Sequence, residues 1–221
     1  ARSVAEHDFP KLAAMEGQEP RIKDNPPLIY HLQEDGEADM MTRARASFAE
    51  YRATLQADRR VLLDRFELKD TAIKVVGVGS VGTYCAVLLL MASESDPLFL
   101  QVKEARKSVL EPFAGASVFA HPGERVVNGI RLMQSASDIF LGWVTGNRGR
   151  QFYVRQLRDM KVSAMVDLFT PAVMALYAEA CAWALARAHA RSGSPAQIAG
   201  YLGKSDVFDE AIADFAVAYA D

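Results

Sequence analysis

Cysteine is scarce: the 221 residues contain two, Cys85 and Cys181. No CxxC pair and no Cys/His spacing of the kind that holds zinc occurs, which argues against a zinc site. Both cysteines lie in apolar runs, Tyr84-Cys85-Ala86-Val87 and Ala180-Cys181-Ala182-Trp183, and are read as buried small hydrophobes. Long hydrophobic runs are also missing. The longest, Cys85 to Ala92, is far too short to span a bilayer, and the first thirty residues hold no apolar stretch of signal-peptide length. A cytoplasmic protein with no membrane partner is expected. Excess positive charge is absent too. With 25 Lys and Arg against 28 Asp and Glu the net charge is −3, so no global basic field favours nucleic acid or anionic lipid. The four histidines, at 7, 31, 121 and 189, are scattered. There are no internal repeats and no low-complexity tract.

What is present is ordinary globular material. Half the residues are apolar (50%) and 24% are charged, enough to build a real core. The length suits one large domain or a domain with a helical extension.

Residues 1–36 read as irregular, because Pro10, Gly17, Pro20, Pro26, Pro27 and Gly36 punctuate them densely. From Ala38 to about Phe66, Met41, Ala44, Phe48, Tyr51, Leu55, Leu62 and Phe66 recur at threes and fours, predicting one long helix with a gap at Asp58. Its arginines, Arg43, Arg45, Arg52 and Arg59, read as a solvated face. Ala72-Ile73-Lys74-Val75-Val76 then predicts a strand, and Leu98 to Lys103 a second, with a polar turn at Ser93-Glu94-Ser95-Asp96-Pro97 before it. A helix is expected over Pro122 to Ser137, with Glu124 in its first turn. Ile139–Val144 and Gln151–Arg158 read as strands around the loop Thr145-Gly146-Asn147-Arg148-Gly149. Helices over Pro171–Arg191 and Asp206–Tyr219 close the chain, separated by the break Ser192-Gly193-Ser194-Pro195. The expected organisation is thus an N-terminal segment with a long helix (1–66), an α+β lobe (67–161) and a helical segment (162–221).

Gly77-x-Gly79-x-x-Gly82, directly after a strand, is the one motif that carries chemistry. Glycines without a Cβ let backbone N–H groups approach a phosphate. Two mechanical readings stay open from the spacing. In a Rossmann-type dinucleotide module the loop opens a helix, here Tyr84 to Ala92, and an acid about twenty residues on, Glu104, binds a ribose. In a kinase-type lobe the loop joins two antiparallel strands and a lysine on the next strand, Lys103, reaches the phosphates. The turn at Ser93–Pro97, the helix with Glu124 and the two strands after it favour the second. In that reading Gly77, Gly79, Ser80 and Gly82 cradle phosphates, Lys103 neutralises them and Glu124 orients Lys103 by an ion pair. A third reading is a non-catalytic interaction or regulatory remnant whose loop is empty.

The strings Lys74-Val75-Val76-Gly77-Val78-Gly79-Ser80-Val81-Gly82-Thr83, Asp96-Pro97-Leu98-Phe99-Leu100-Gln101-Val102-Lys103-Glu104-Ala105, Phe152-Tyr153-Val154-Arg155-Gln156-Leu157-Arg158-Asp159-Met160-Lys161 and Ala184-Leu185-Ala186-Arg187-Ala188-His189-Ala190 resemble the bacterial DUF2252 family over roughly residues 20–221. That family is regarded as related to kinase-like and aminoglycoside-phosphotransferase-like folds. The resemblance implies an α+β fold with a protein-kinase-like N-lobe, that is, an antiparallel sheet with a glycine-rich hairpin and one helix. A helical C-terminal part belonging to a C-lobe and a long N-terminal helix accompany it. It implies ATP with Mg²⁺ as ligand, and Asp159-Met160-Lys161 as the hinge that meets adenine. Family members carry Gly-Asp-Ala-His-x-x-Asn and Asp-Phe-Asp-like segments N-terminal to the glycine loop, and this chain has neither; His7-Asp8-Phe9 is the nearest string. Asp206, Asp209 and Asp214 read as solvated helix positions. The chain is therefore expected to be the C-terminal, nucleotide-binding part of such a protein, inactive alone. Its catalytic acids would come from a missing N-terminal half or another chain, and self-association through the exposed seam is expected.

Overall fold

The structure is a computed structural model and describes residues 12–17, 19–77, 82–157 and 164–220. Two compact units emerge, one built from the sheets and the helices before Leu132, the other from the C-terminal helices. The fold class is α+β, as the order of elements predicts.

The first unit is organised by a six-stranded antiparallel sheet. Its strands are β3 (Ile29–Tyr30), β4 (Glu67–Lys74), β5 (Cys85–Ser93), β6 (Asp96–Glu104), β7 (Gly142–Thr145) and β8 (Gln151–Gln156), in the order β3-β4-β5-β6-β8-β7. The central strand β5 is buried from Cys85 through Met91, which explains a continuous apolar run where a half-exposed strand would alternate. One face of β5 sends Leu88 and Leu90 against Leu98, Leu100, Phe152 and Val154, together with Tyr51 and Leu55. The other sends Val87, Leu89 and Met91 against Ala72, Phe99 and Leu157. A bulge between Leu68 and Asp70 sets these residues opposite Leu90 and Leu89 in turn, so two positions that would share a face point to opposite ones.

Helix α1 (Glu34–Ala53) lies on the Leu88 face, and α2 (Ala57–Leu63) follows it. The single helix expected over Ala38–Phe66 is thus two. The break is made by contacts distant in sequence. The Thr54 hydroxyl donates to the Tyr51 carbonyl at 2.7 Å and accepts from the Trp143 N–H at 3.1 Å. Arg60 Nε then donates to the Leu55 carbonyl at 2.9 Å, satisfying a carbonyl in the link between the two helices.

The opposite face is covered by a hairpin, β1 (Ala13–Glu16) and β2 (Glu19–Ile22), which corrects the irregular reading at these residues. Gly17 takes φ +66 in its turn, a conformation glycine adopts without a Cβ penalty. Ala13, Ile22 and Ile29 are buried against the sheet, so packing rather than propensity makes these short pieces regular. Buried Asp70 pins the hairpin. It accepts the Ile22 N–H at 2.6 Å and the Thr71 N–H at 2.7 Å, and meets His31 Nε2 at 3.0 Å. His31 Nδ1 meets Asp24 at 2.8 Å.

The hydrogen bond to Asp70, outweighing burial and aided by Asp24, raises the His31 pKa above 6.5. A raised folded pKa contributes stability that is full below the unfolded value and is lost as pH rises through the folded one. Denaturation midpoints are expected to fall as pH rises above about 6.5, and His31→Gln should flatten that slope. An equal slope in the variant would remove His31 from the account.

Helix α3 (Glu111–Ala114) is one short turn, and α4 (Pro122–Met133) is shorter than the expected Pro122–Ser137. The second unit holds α5 (Pro171–Ser192), α6 (Pro195–Leu202) and α7 (Val207–Ala220). Helix α6 sits where the sequence reads only a break. Ser194 caps it by accepting the Gln197 N–H, and Pro195 occupies its first turn, so Ser-Pro here also starts a helix. Trp183, Tyr201, Phe215 and Tyr219 are exposed, and so is Cys181. Of the two cysteines read as buried, only Cys85 is, because the face of α5 bearing Cys181 is uncovered.

Candidate anion site at the loop end of the sheet

The connection between β4 and β5 is the glycine-rich stretch. Gly77 and Gly82 are described, whereas Gly79 and Ser80 lie outside the described residues. Gly82 takes φ +73 with open space where a Cβ would stand; Gly77 likewise has nothing within 4 Å of that position. The segment after the loop is strand β5 and not a helix. Its antiparallel pairing to β4 and β6 removes the helix that a dinucleotide-binding loop opens. Glu104, the ribose ligand of that reading, is engaged otherwise. Its carboxylate accepts the Tyr84 N–H at 2.9 Å and pairs with Arg106 Nε at 2.8 Å, and Arg106 chiefly holds its pKa down. Arg106 also donates to the Gly82 carbonyl at 2.5 Å. Glu104 and Arg106 therefore tie the end of the loop to the end of β6.

Lys103 lies directly opposite Cys85 on β5 and Tyr153 on β8. Since side chains alternate along a strand, these three share one face. Lys74, one residue beyond the Ile73–Ala86 pair, joins the same row. In the next row Gln101 faces Arg155. Buried Gln101 donates from Nε2 to Cys85 Sγ at 3.4 Å, and its Oε1 accepts from Arg155 Nε at 3.1 Å and Nη2 at 3.0 Å. Burial pushes the Cys85 thiol up, while the Gln101 hydrogen bond and the charges of Lys103, Lys74 and Arg155 pull it back. Three cationic residues thus share one sheet face with Cys85 at the end from which the glycine loop springs.

Glu124 stands in the first turn of α4, where His121 Nδ1 accepts the Gly123 N–H at 2.9 Å and the Glu124 N–H at 3.3 Å. Among the described residues Lys103 and Glu124 form no ion pair. Asp159-Met160-Lys161, the expected hinge, and Arg158 lie outside the described residues. Among the described residues no group of three or more His, Cys, Asp or Glu is placed to hold a metal. No helix among them is long and apolar enough to cross a membrane.

Lys74, Gln101 and Arg155 are site residues that the sequence reading did not assign. A count back from the Ser93–Asp96 turn would have placed Cys85 opposite Glu104; an irregularity between Met91 and Ser93 shifts the register by one residue and brings Lys103 there instead. The Gln101–Cys85 link has no sequence signal.

The molecule is defined, at this level, as an α+β protein whose antiparallel sheet carries a glycine-rich connection and a cationic row at one end. Over residues 1–221 the chain matches the family described as an uncharacterized protein conserved in bacteria, DUF2252, and it belongs to that family. The match extends beyond the 20–221 span of the sequence resemblance. No curated protein and no solved structure matches it.

Proposed function

We propose that this chain is the nucleotide-binding portion of a kinase-like phosphotransferase, taking the phosphates of ATP at the glycine loop and the Lys103 face. The observation that carries the reading is the sheet register that sets Lys74 and Lys103 in one cross-strand row with Cys85, and Arg155 in the row behind, beside the root of that loop. The order of elements supports it as well. An antiparallel hairpin with a glycine-rich turn is followed by a lysine-bearing strand, a helix with an early acid and two more antiparallel strands, the arrangement of a kinase-type lobe. In this reading Gly77, Gly79, Ser80 and Gly82 give backbone donors, Lys103 neutralises charge on the phosphates, and Glu124 turns toward Lys103 when nucleotide enters. The cytoplasm is the compartment that supplies ATP.

The described residues do not offer a carboxylate set for Mg²⁺, so no step through the metal is assigned to them. The acids that hold it and act at the acceptor belong, in this proposal, to a further N-terminal segment or another chain. The exposed aromatic residues of α5 and α7 are where such a partner, or a second copy, would engage.

A thermal-shift titration with a non-hydrolysable ATP analogue tests the proposal. At millimolar analogue the melting midpoint is expected to rise by about 3 °C. Lys103→Ala should weaken binding about tenfold or more, through loss of a charge-assisted contact. Unchanged melting in the wild-type chain would end the nucleotide reading.

A further inference from the structure

A cavity of about 230 Å³ lies between α1 and the sheet, and the nucleotide reading makes no use of it. Val102 and Val154 line it, so it opens on the face opposite Lys103. Two edge-to-face ring pairs wall it: Phe48 with Tyr51, centroids 5.9 Å apart, and Tyr84 with Phe152, 5.8 Å apart. An apolar cavity of about 150 Å³ already accepts benzene. This one therefore has room for a single ring and a short side arm. Four aromatic walls favour an aromatic guest over a chain, because ring edges and faces can alternate around it.

The rim carries charge of one dominant sign. Arg43 and Arg150 line the cavity, and both lower the pKa of the Tyr84 phenol against the larger effect of burial, which raises it. Asp39 already pairs Arg43 through both oxygens, Oδ1 accepting from Nε at 2.8 Å and Oδ2 meeting Nη2. Arg150 is exposed, and among the described residues its guanidinium forms no ion pair or hydrogen bond. The nearby carboxylate of Glu104 is already held by Arg106 and the Tyr84 N–H. A neutral guest would leave Arg150 unused.

We propose that this cavity binds a small aromatic monocarboxylate, with its ring between the two aromatic pairs and its carboxylate at Arg150 and Arg43. Titration calorimetry on the full chain with 3-phenylpropionate, 3-phenylpropanol and octanoate tests it. The acid is expected to bind about tenfold more tightly than the alcohol, the gain of a charge-assisted contact, and more tightly than octanoate. Arg150→Ala should bring the acid down to the alcohol's affinity without moving the melting temperature. Ala44→Met, which fills the cavity from a half-buried helix position, should abolish both. No binding at millimolar acid, equal affinity for acid and alcohol, or binding intact in Ala44→Met would each overturn the proposal. Tighter binding of octanoate would overturn the aromatic assignment.

Discussion

Asp70→Ala is expected to cost about 3 to 5 kcal/mol of folding stability, the usual loss when one partner of a buried charged pair is removed. Asp70 is 5% exposed and serves three donors from three parts of the chain. Its loss leaves the Ile22 N–H unpaired beneath the hairpin, frees the Thr71 N–H, and leaves the His31 ring with Asp24 alone. A buried donor left unsatisfied costs its full desolvation penalty, so the effect exceeds that of a surface pair. The β1–β2 hairpin should then lift from the sheet, uncovering Val87, Leu89 and Phe99. Urea denaturation measures the shift in midpoint, and amide exchange at Ile22 reports the local release. The dependence of stability on pH above neutrality should flatten in the same variant, since the His31 pKa is raised chiefly by Asp70. A loss below about 1 kcal/mol would mean the carboxylate is not the pin.

Gly123→Ala should be the most damaging single-methyl substitution in α4. A Cβ there would collide with the Phe152 carbonyl oxygen, and would sit 2.9 Å from its carbon and 2.8 Å from His121 Cε1. Two of these three neighbours are backbone atoms of a paired strand, which cannot swing aside as a flexible side chain would. The first turn of α4 must move, taking the His121 cap and Glu124 with it. Overpacking of this kind costs about 1 to 3 kcal/mol. Gly129, in the same helix, has nothing within 4 Å of its Cβ position. Gly129→Ala is therefore expected to gain about 0.5 to 1 kcal/mol from helix propensity. Opposite signs in the two variants, read from denaturation midpoints, would place close backbone approach at Gly123. Equal shifts would contradict it.

The parts of the fold legible in the sequence are those set by local pattern. The turn at Ser93–Pro97 and the strand ending at Lys103 favour a hairpin, while the apolar run of β5 by itself reads equally as the helix of the dinucleotide reading. The lysine's register opposite Cys85 does not follow from counting, because a bulge between Met91 and Ser93 shifts the pairing by one residue. What escaped reading depends on distant partners. The helix break at Thr54 is made by Trp143, on a strand far along the chain, and no helical period records it. The β1–β2 hairpin reads as loop because its strands are four residues each and owe their regularity to burial on the sheet. Asp70 carries no motif; a bulge after Leu68 turns it inward, and its partners His31 and Ile22 come from a segment read as irregular. Cys181 shows the converse error, an apolar neighbourhood in sequence that is not an apolar neighbourhood in space.

The candidate site was half legible. Glycines and lysine were visible as a motif, whereas Gln101, Lys74 and Arg155 became site residues only through the sheet register. Glu104 changed role, from a proposed ribose ligand to the group that fastens the loop to β6 with Arg106. The pairing of Lys103 with Glu124 is absent from the described contacts, and nucleotide entry is where the proposal places it.

An ATP acyl-phosphate, which acylates a lysine lying against the bound phosphates, tests the central claim most directly when the labelled chain is mapped by mass spectrometry. The account predicts acylation at Lys103, with Lys74 as the only secondary position, and protection of both by excess ATP. Labelling spread over surface lysines, or labelling at Lys103 that ATP does not block, would contradict it.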